Sequence, residues 1–378
     1  MTGGATGFDV VVIGAGIAGA SVAAELAPHA SVVLLEAESQ PAYHATGRSA
    51  AILAQTYGSA VIRALTSASA DFFATPPQGF GPLLSPRGLI RIARPDQVDR
   101  LRAEYDALQD TRYLDWAEGP ALEARVPLLR PGHVAGGFRN DAAQDIDVHA
   151  LMSGYLARFR HAGGTLWTGA EVQAIRRDGS GWALSTGAGA VTAGLIVNAA
   201  GAWADRIAVK AGARPLGLRP LRRSAITFAA PPGCDVAALP MVVDADEEFY
   251  LKPEAGRLLA SPGDETPSVP TDSRPEELDI AICVDRITKA FDLEVRRIES
   301  SWAGLRTFAA DRAPVCGFDP LVAGFFWLAG QGGYGVQTAP ALSGLAASLV
   351  RGEAPDAAIT ATGLTPELLS PGRSALMG

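Results

Sequence analysis

Three glycines near the start of the chain have the spacing that lets a peptide backbone approach a pyrophosphate. Gly14, Gly16 and Gly19 form the pattern G-x-G-x-x-G, and an acidic residue, Glu36, follows about 20 residues later. In this motif the first glycine permits a tight turn, the second permits close approach of the phosphates, and the third lets a helix pack on a strand. The helix N-terminus attracts the phosphates, and the acid accepts hydrogen bonds from ribose hydroxyls. The pattern therefore predicts a dinucleotide site.

The segments around these glycines have the order that the motif requires. Residues 8–13 (FDVVVI) and 31–35 (SVVLL) are rich in β-branched and apolar residues and predict buried strands. Residues 20–27, between them, predict a helix. A strand–turn–helix–strand unit favours a bound dinucleotide over the alternative, a glycine-rich turn that binds none. The motif alone does not separate FAD from NAD.

The rest of the chain alternates between predicted strands and predicted helices, which indicates an α/β (α+β) fold. The main further strands are predicted at 88–93, 195–198, 222–228, 249–252 and 325–328. The main further helices are predicted at 63–73, 95–108, 147–161 and 338–350. Strand–helix pairs near the start, middle and end suggest one discontinuous Rossmann-like domain, with a second domain of antiparallel sheet interleaved between its pieces.

The composition excludes several classes of protein. Of the 378 residues, 48% are hydrophobic, which excludes a disordered chain, and the net charge of −8 argues against a nucleic-acid partner. The three cysteines form no C-x-x-C pair and the histidines form no H-E-x-x-H motif, so we predict no metal site. No apolar run reaches the ~18 residues of a membrane helix. No lysine or arginine precedes Arg48, so a signal peptide is not expected, and we predict a cytoplasmic protein without an integral membrane segment.

Several segments outside the glycine motif carry a resemblance to a known family. They are YHATGRSAA at 43–51, VNAAGAWAD at 197–205, WAGLR at 302–306 and GQGGYGVQ at 330–337. Together they resemble the D-amino acid oxidase superfamily of FAD-dependent oxidoreductases. Within it, RRSA at 222–225 and FYLKP at 249–253 are most similar to bacterial D-arginine dehydrogenases, which are broad D-amino acid dehydrogenases.

The resemblance implies FAD as cofactor and a small amino acid as substrate, with the electron acceptor left open between oxygen, quinone and others. It implies an FAD-binding domain from 1–84, 145–215 and 305–378, and a substrate-binding domain from 85–144 and 216–304. Besides the glycine motif and Glu36, it implies FAD contacts at Ala18, Ala37, Ala45, Thr46, Gly47, Arg48, Ser49, Ala50, Ala51, Ile52, Val172, Gly201, Gly332, Val336 and Gln337. It implies substrate contacts at Tyr57, Leu89, Arg223, Tyr250, Arg306, Gly333, Tyr334 and Gly335.

The chemistry of an α-amino acid gives these implied contacts a physical reason. Arginine pairs bidentately with a carboxylate, and the resemblance implies this task for Arg223 and Arg306. Most arginines form surface salt bridges, but these two have apolar neighbours, and a buried arginine needs an anion. Tyr57 and Tyr250 are implied as hydroxyl donors, with ordinary packing as the alternative.

The reaction that the resemblance implies is hydride transfer from Cα to flavin N5. It yields an imino acid that water hydrolyses to a 2-oxo acid and ammonia, and we assign no side chain as the catalytic base. Because the arginines contact only the carboxylate, an N-methyl amino acid, glycine or a 2-hydroxy acid stays an alternative substrate.

Two departures from the D-arginine dehydrogenases concern the substrate side chain. The Ser-Pro-Arg segment at 85–87 is followed by Leu89 and Ile90, where the relative has a glutamate that pairs with the substrate guanidinium. Ile52 replaces a histidine, and Ala54 replaces a hydroxyl residue. We therefore predict a preference for apolar over cationic side chains.

One cysteine raises the question of how the flavin is attached. Some superfamily members bind flavin covalently through cysteine, and Cys316 lies toward the flavin end of the predicted fold. A free cysteine usually behaves as a small buried apolar residue. We therefore expect non-covalent FAD.

Overall fold

The strands of the protein form three sheets. The computed structural model describes residues 5–108 and 113–376. In chain order the strands are β1 (Thr6–Ile13), β2 (Val32–Leu35), β3 (Ile52–Leu53), β4 (Leu84–Pro86), β5 (Leu89–Ala93), β6 (Leu114–Glu118), β7 (Gly136–Asn140), β8 (Gln144–Ile146), β9 (Thr165–Trp167), β10 (Val172–Asp178), β11 (Gly181–Thr186), β12 (Gly189–Asn198), β13 (Arg219–Phe228), β14 (Met241–Asp244), β15 (Tyr250–Glu254), β16 (Arg257–Ser261), β17 (Thr266–Pro267), β18 (Ser300–Phe308), β19 (Val315–Phe318), β20 (Phe325–Ala329) and β21 (Gln331–Gly332).

The helices lie between these strands and cover the sheets. In chain order they are α1 (Ile17–Leu26), α2 (Ala60–Ala74), α3 (Val98–Ala107), α4 (Gly119–Arg125), α5 (Val148–His161), α6 (Ala204–Lys210), α7 (Glu277–Ala290), α8 (Gly335–Arg351) and α9 (Ala357–Thr360). In the part of the chain that the structure describes, none of them is long and apolar enough to cross a membrane.

The first sheet has a parallel centre in the order β9–β2–β1–β12–β20. The antiparallel strand β19 extends it beyond β20, and the β10–β11 hairpin pairs with β12. Both faces of β1 are buried: Val10 and Val12 pack in one apolar cluster with residues of α1, α5 and α8, and Val11 and Ile13 in another with residues of α6. A parallel strand segment covered on both faces must be apolar, which explains the VVVI sequence at 10–13. The predicted α/β fold with a Rossmann-like domain is confirmed.

The second sheet has the order β21–β18–β13–β16–β15–β14–β5–β7–β6, and β17 pairs with β13. All its neighbours are antiparallel except β14 and β5. Side chains alternate between its faces: Leu251 and Ile90 pack in a cluster with α7, whereas their neighbours Tyr250 and Leu89 belong to a cluster on the opposite face. This opposite face is turned toward the candidate site described below.

The sheets show how the chain passes between the predicted domains. A small third sheet, β3–β8–β4, joins segments on either side of the predicted limits at 84/85 and 144/145. The predicted limit at 304/305 falls inside β18, which continues unbroken to Phe308. The two-domain division itself stays a prediction, and its outer limits at 1 and 378 lie outside the described residues.

Several helices differ from the sequence-based prediction, and α8 and α7 show two of the reasons. Helix α8 begins at Gly335, one turn before the predicted start at 338, because the glycines before it gave no helical signal. Helix α7 was not predicted, although a capping box between Glu276 and Asp279 marks its start. Its apolar residues Cys283 and Ile287, four positions apart, cover the second sheet.

Candidate active site

A cavity of about 750 Å³ extends from the glycine turn of the first sheet to the inner face of the second sheet. Its size is in the range of small-molecule and cofactor sites, which is about 300–1,000 Å³. Gly14 and Gly16 line one end, and Arg223, Tyr250 and Arg306 line the other. A single elongated molecule could therefore contact both sheets.

The glycine turn has the geometry that the sequence motif predicts. Gly14 has φ of 100°, and a Cβ there would lie 2.6 Å from the carbonyl oxygen of Ala199. A Cβ on Gly19 would lie 1.8 Å from the carbonyl oxygen of Gly14, so Gly19 lets α1 pack on the turn and does not line the cavity. Helix α1 begins without a side-chain cap and without an acid in its first turn. Its partial positive charge is therefore available to an anion in the cavity.

Glu36 lies at the end of β2 with its carboxylate held in place. One carboxylate oxygen accepts a hydrogen bond from the Ala15 amide at 2.8 Å, and the other from the Glu38 amide at 3.0 Å. Each oxygen keeps a lone pair for a further donor. Glu36 and Ala37 both line the cavity, so the arrangement fits a ribose hydroxyl.

The segment 42–52 forms one wall of the cavity and is tied to both sheets. The Arg48 guanidinium donates to the carbonyl oxygens of Ser273 at 2.9 Å and Ala303 at 2.8 Å, and Trp302 donates to the Arg48 carbonyl at 3.1 Å. A Cβ on Gly47 would lie 2.4 Å from the Ala42 carbonyl oxygen. Gly47 therefore serves the tight turn of this segment and does not line the cavity.

Two buried amides at the other side of the cavity have no partner within the described chain. They are the Nε2 atoms of Gln331 and Gln337, and both residues line the cavity. A buried donor without an acceptor costs about 1–3 kcal/mol, so a ligand with carbonyl or ring-nitrogen acceptors is expected beside them. The flavin pyrimidine has such acceptors. The cavity residues therefore fit FAD along the whole length from the glycine turn to Gln337.

Arg223 and Arg306 lie on neighbouring strands, β13 and β18, at the far end of the cavity. Arg223 donates through Nε to the carbonyl oxygen of Asp264 at 2.7 Å, and its Nη2 lies 3.4 Å from Glu265 Oε1. Among the described residues, the partly buried Arg306 guanidinium has no hydrogen bond or ion pair. Burial, and then the adjacent Arg306 charge, lower the pKa of Arg223. Two adjacent like charges, of which Arg306 has no partner among the described residues, are an arrangement that can accept an anion.

Tyrosine hydroxyls surround this anion site. The rings of Tyr57 and Tyr334 are 5.4 Å apart, Tyr250 is buried beside the arginines, and all three line the cavity. Burial raises the pKa of the Tyr57 hydroxyl, with Glu247 adding to the effect, and burial also raises that of Tyr334. The Tyr57 hydroxyl donates to Glu247 Oε2 at 3.3 Å. The hydroxyls of Tyr57 and Tyr334 are therefore neutral at ordinary pH.

All the predicted contact residues line the cavity except Gly19, Gly47 and Leu89. Leu89, predicted as a substrate contact, does not line the cavity in this structure. Leu89 is buried in the cluster behind the wall, and its partner in the parallel register, Met241, faces the cavity instead. Ile52 lines the cavity as predicted, and Ala54 lies in the same cluster as Leu89.

Sequence reasoning missed Met241, Glu247 and Gln331. No motif marks Met241, because only the pairing of two distant strands brings it to the cavity. Glu247 follows a strand of the second sheet in a turn with left-handed backbone, φ of 56°. Two other acidic residues, Asp246 and Glu248, flank Glu247, so the sequence does not distinguish it from its neighbours. Gln331 lies in the segment GQGGYGVQ, which could have indicated it.

Cys316 lies away from the cavity. It is buried on β19 and packs with Phe326 and Leu328 in the core of the first sheet. Burial raises the pKa of its thiol, so the reactive thiolate is disfavoured.

The fold and the cavity indicate the class of protein: one that binds a dinucleotide on a Rossmann-like sheet, with the cavity continuing to a second sheet. Residues 9–349 match the model of the DAO family, described as FAD dependent oxidoreductase. The chain belongs to this family and is an FAD-dependent oxidoreductase.

Known proteins similar to this chain include glycine oxidase of Geobacillus kaustophilus, which is 26% identical over 91% of this chain and 93% of that protein. The crystal structure of glycine oxidase from the same organism has a TM-score of 0.81 and 25% identity, covering 92% of this chain and 96% of that one. Human mitochondrial dimethylglycine dehydrogenase is 27% identical over 67% of this chain and 30% of its own length. The narrower resemblance to D-arginine dehydrogenases stays a prediction.

Proposed function

We propose that the protein catalyses the oxidative deamination of D-amino acids with apolar side chains. The observation that carries the proposal is the partly buried Arg306 guanidinium, which has no hydrogen-bond or ion-pair partner among the described residues and lies beside Arg223 in the FAD cavity. FAD, when bound in this cavity, would supply the acceptor for the hydride that leaves Cα of the substrate. The resulting imino acid reacts with water and yields a 2-oxo acid and ammonia.

The arginines and tyrosines of this chain orient the substrate. Arg306 offers the two parallel N–H groups that match a carboxylate, and Arg223 adds a second positive charge. The Tyr250 hydroxyl donates a hydrogen bond to the same carboxylate. The Tyr57 hydroxyl, which donates to Glu247 in the ligand-free protein, turns to the carboxylate when the substrate binds. Fixing the carboxylate leaves Cα in one orientation, which is the main contribution of a protein to a cofactor reaction.

The apolar wall of the cavity favours an apolar side chain. Ile52, Ala225 and Met241 line the cavity and belong to one buried cluster. Glu247 does not line this cavity and accepts a hydrogen bond from Tyr57. Preference for the D-enantiomer is supported by the resemblance to the D-amino acid oxidase superfamily.

The second candidate substrate is glycine or an N-methyl amino acid. The similarity to glycine oxidase and dimethylglycine dehydrogenase favours it. The same two arginines would hold the carboxylate of either class. The candidate substrates differ in the volume of the side chain and in the nitrogen product. A substrate with a primary amine releases ammonia, whereas an N-methyl amino acid yields a primary amine.

FAD is proposed to be bound without a covalent bond. Cys316, the cysteine considered for attachment, is buried in the core and does not line the cavity. The glycine turn, Glu36 and Gln337 then account for the binding of FAD through hydrogen bonds and packing alone.

Anaerobic reduction of the bound flavin by a panel of compounds tests the proposal. We expect rapid bleaching by D-leucine, D-methionine and D-phenylalanine, slower bleaching by D-arginine, and ammonia release equal to the flavin reduced. Faster bleaching by D-arginine would contradict the side-chain assignment. Faster bleaching by glycine or sarcosine would favour the second candidate, and bleaching by 2-hydroxy acids alone would refute amine oxidation.

A further inference from the structure

A second cavity of about 680 Å³ adjoins the first and is lined mostly by polar and charged side chains. The two cavities share Tyr57, Arg223 and Tyr334. Glu265 and Arg312 line only the second cavity. A charged group in the second cavity can therefore act on the proposed carboxylate site through Arg223, which lines both cavities.

Glu265 bridges Arg223 and Arg312. Its two carboxylate oxygens accept hydrogen bonds from Arg312 at 2.7 and 3.1 Å, a bidentate pair, whereas Arg223 Nη2 lies 3.4 Å from Oε1. Partial burial raises the pKa of the Glu265 carboxyl, but the hydrogen bonds and charge of Arg312 more than reverse this, and the pKa lies below its ordinary value. Glu265 is therefore an anion that is held more closely by Arg312 than by Arg223.

Arg312 is fixed by its own backbone and by an aromatic ring. Its φ is 60°, a left-handed conformation that is unfavourable for a residue with a Cβ. Its amide donates to the Ala309 carbonyl oxygen at 3.0 Å, and its guanidinium lies 3.8 Å from the centre of the Phe308 ring. Arg312 thus presents a preorganised fork to Glu265.

We propose that Glu265 competes with the substrate carboxylate for Arg223, and that Arg312 sets the strength of this competition by holding Glu265. The proposal rests on the function proposed above, in which Arg223 contacts the substrate carboxylate. The Nε of Arg223 is already bound to the Asp264 carbonyl, so Nη2 is one of the nitrogens left for the substrate, and it is the one that Glu265 approaches. Arg312 and Glu265 are positioning residues in this scheme, because they act on the substrate through Arg223.

The proposal predicts opposite effects for two substitutions. Glu265→Gln removes the competing charge, so carboxylate binding becomes about fivefold tighter; Arg312→Met leaves Glu265 to pair with Arg223, so binding becomes about fivefold weaker. A purely structural role would weaken binding in both variants. We expect the change in KM and a nearly constant kcat, because neither residue contacts the reacting atoms.

In the experiment, each holoenzyme variant is titrated with 4-methylpentanoate and binding is measured by isothermal titration calorimetry. The uncharged analogue 4-methylpentanamide is titrated in the same way for comparison. Glu299→Gln is the matched control, because Glu299 pairs with Arg257 near the ends of β18 and β16 and lines neither cavity. Shifts of opposite sign for the carboxylate, with no shift for the amide, support the proposal. Shifts of the same sign, or no shift, overturn it.

The same titration separates this proposal from the function on which it rests. If the wild-type protein binds the carboxylate no more tightly than the amide, the proposed carboxylate site is wrong and both proposals fail. If the wild type prefers the carboxylate but the two variants shift in the same direction, only the role of Glu265 and Arg312 fails.

Discussion

Arg306→Met is expected to abolish substrate binding while leaving the ligand-free protein at least as stable as the wild type. Methionine keeps the apolar stem and removes the guanidinium. Gly333 packs against this group so closely that a Cβ there would lie 2.8 Å from Arg306 Cζ, and the unbranched methionine fits the same space. The substitution therefore removes the charge with little repacking.

The magnitude of the binding loss follows from the two hydrogen bonds that Arg306 offers. Each charge-assisted hydrogen bond contributes about 1.5–3 kcal/mol, so a bidentate contact contributes at least about 3 kcal/mol. Since about 1.4 kcal/mol corresponds to a factor of ten, the Kd of a carboxylate ligand should rise at least about 100-fold. The stability changes in the opposite sense, because the wild-type guanidinium is partly buried and has no partner among the described residues until the ligand binds.

Two measurements on the holoenzyme check both halves of this prediction. The Kd of 4-methylpentanoate is measured by titration, and the Tm of the ligand-free protein by the release of flavin fluorescence. Arg296→Met is the control, because Arg296 is 83% exposed and should change neither value. A lower Tm together with an unchanged Kd for Arg306→Met would show that Arg306 is structural and would refute the reasoning.

Three further predictions concern the cofactor and the hydroxyl groups. Gly14→Ala places a Cβ against the Ala199 carbonyl at an unfavourable φ, so the purified variant should contain almost no FAD by its visible absorbance, with an unchanged far-ultraviolet circular dichroism spectrum. Tyr57→Phe should lower kcat/KM about tenfold at every pH from about 6 to 10, because the raised pKa keeps the wild-type hydroxyl protonated over that range. Acid precipitation should release all the flavin into the supernatant, and Cys316→Ser should keep a full complement of FAD.

Each of these predictions has an outcome that contradicts it. Full FAD content in Gly14→Ala would show that the turn tolerates a side chain and does not approach the pyrophosphate. A decrease in the wild-type kcat/KM as the pH approaches 10, absent in Tyr57→Phe, would show that this hydroxyl ionises in that range. A yellow protein pellet after precipitation, absent in Cys316→Ser, would show a covalent flavin.

The cofactor end of the site could be predicted from the sequence because its determinants are local. Gly14, Gly16 and Gly19 belong to one turn and helix, and Glu36 ends the next strand, so spacing along the chain was sufficient. The family-derived arginines also line the cavity, because each lies within a short segment that resembles known relatives. These segments alone were sufficient to place the two arginines at one end of the fold.

The substrate wall could not be predicted in the same way because it depends on pairing between distant strands. Leu89 and Met241 are neighbours only through the parallel register of β5 and β14. A change of one position in that register would reverse which side chain faces the cavity. Glu247 reaches Tyr57 from a turn after β14, and neither composition nor periodicity indicates such a contact.

Strand β18 has a consequence for how new specificities can arise in this architecture. It pairs with β13 on one side and with β21 on the other, and from β21 the chain soon enters the helix that carries Gln337. One backbone thus serves both the amino acid and the flavin, so the substrate half cannot be transplanted as an independent module. Chimaeras joined between 300 and 337 should lose cofactor along with selectivity. Diversification is therefore expected to proceed by exchange of side chains on a shared scaffold.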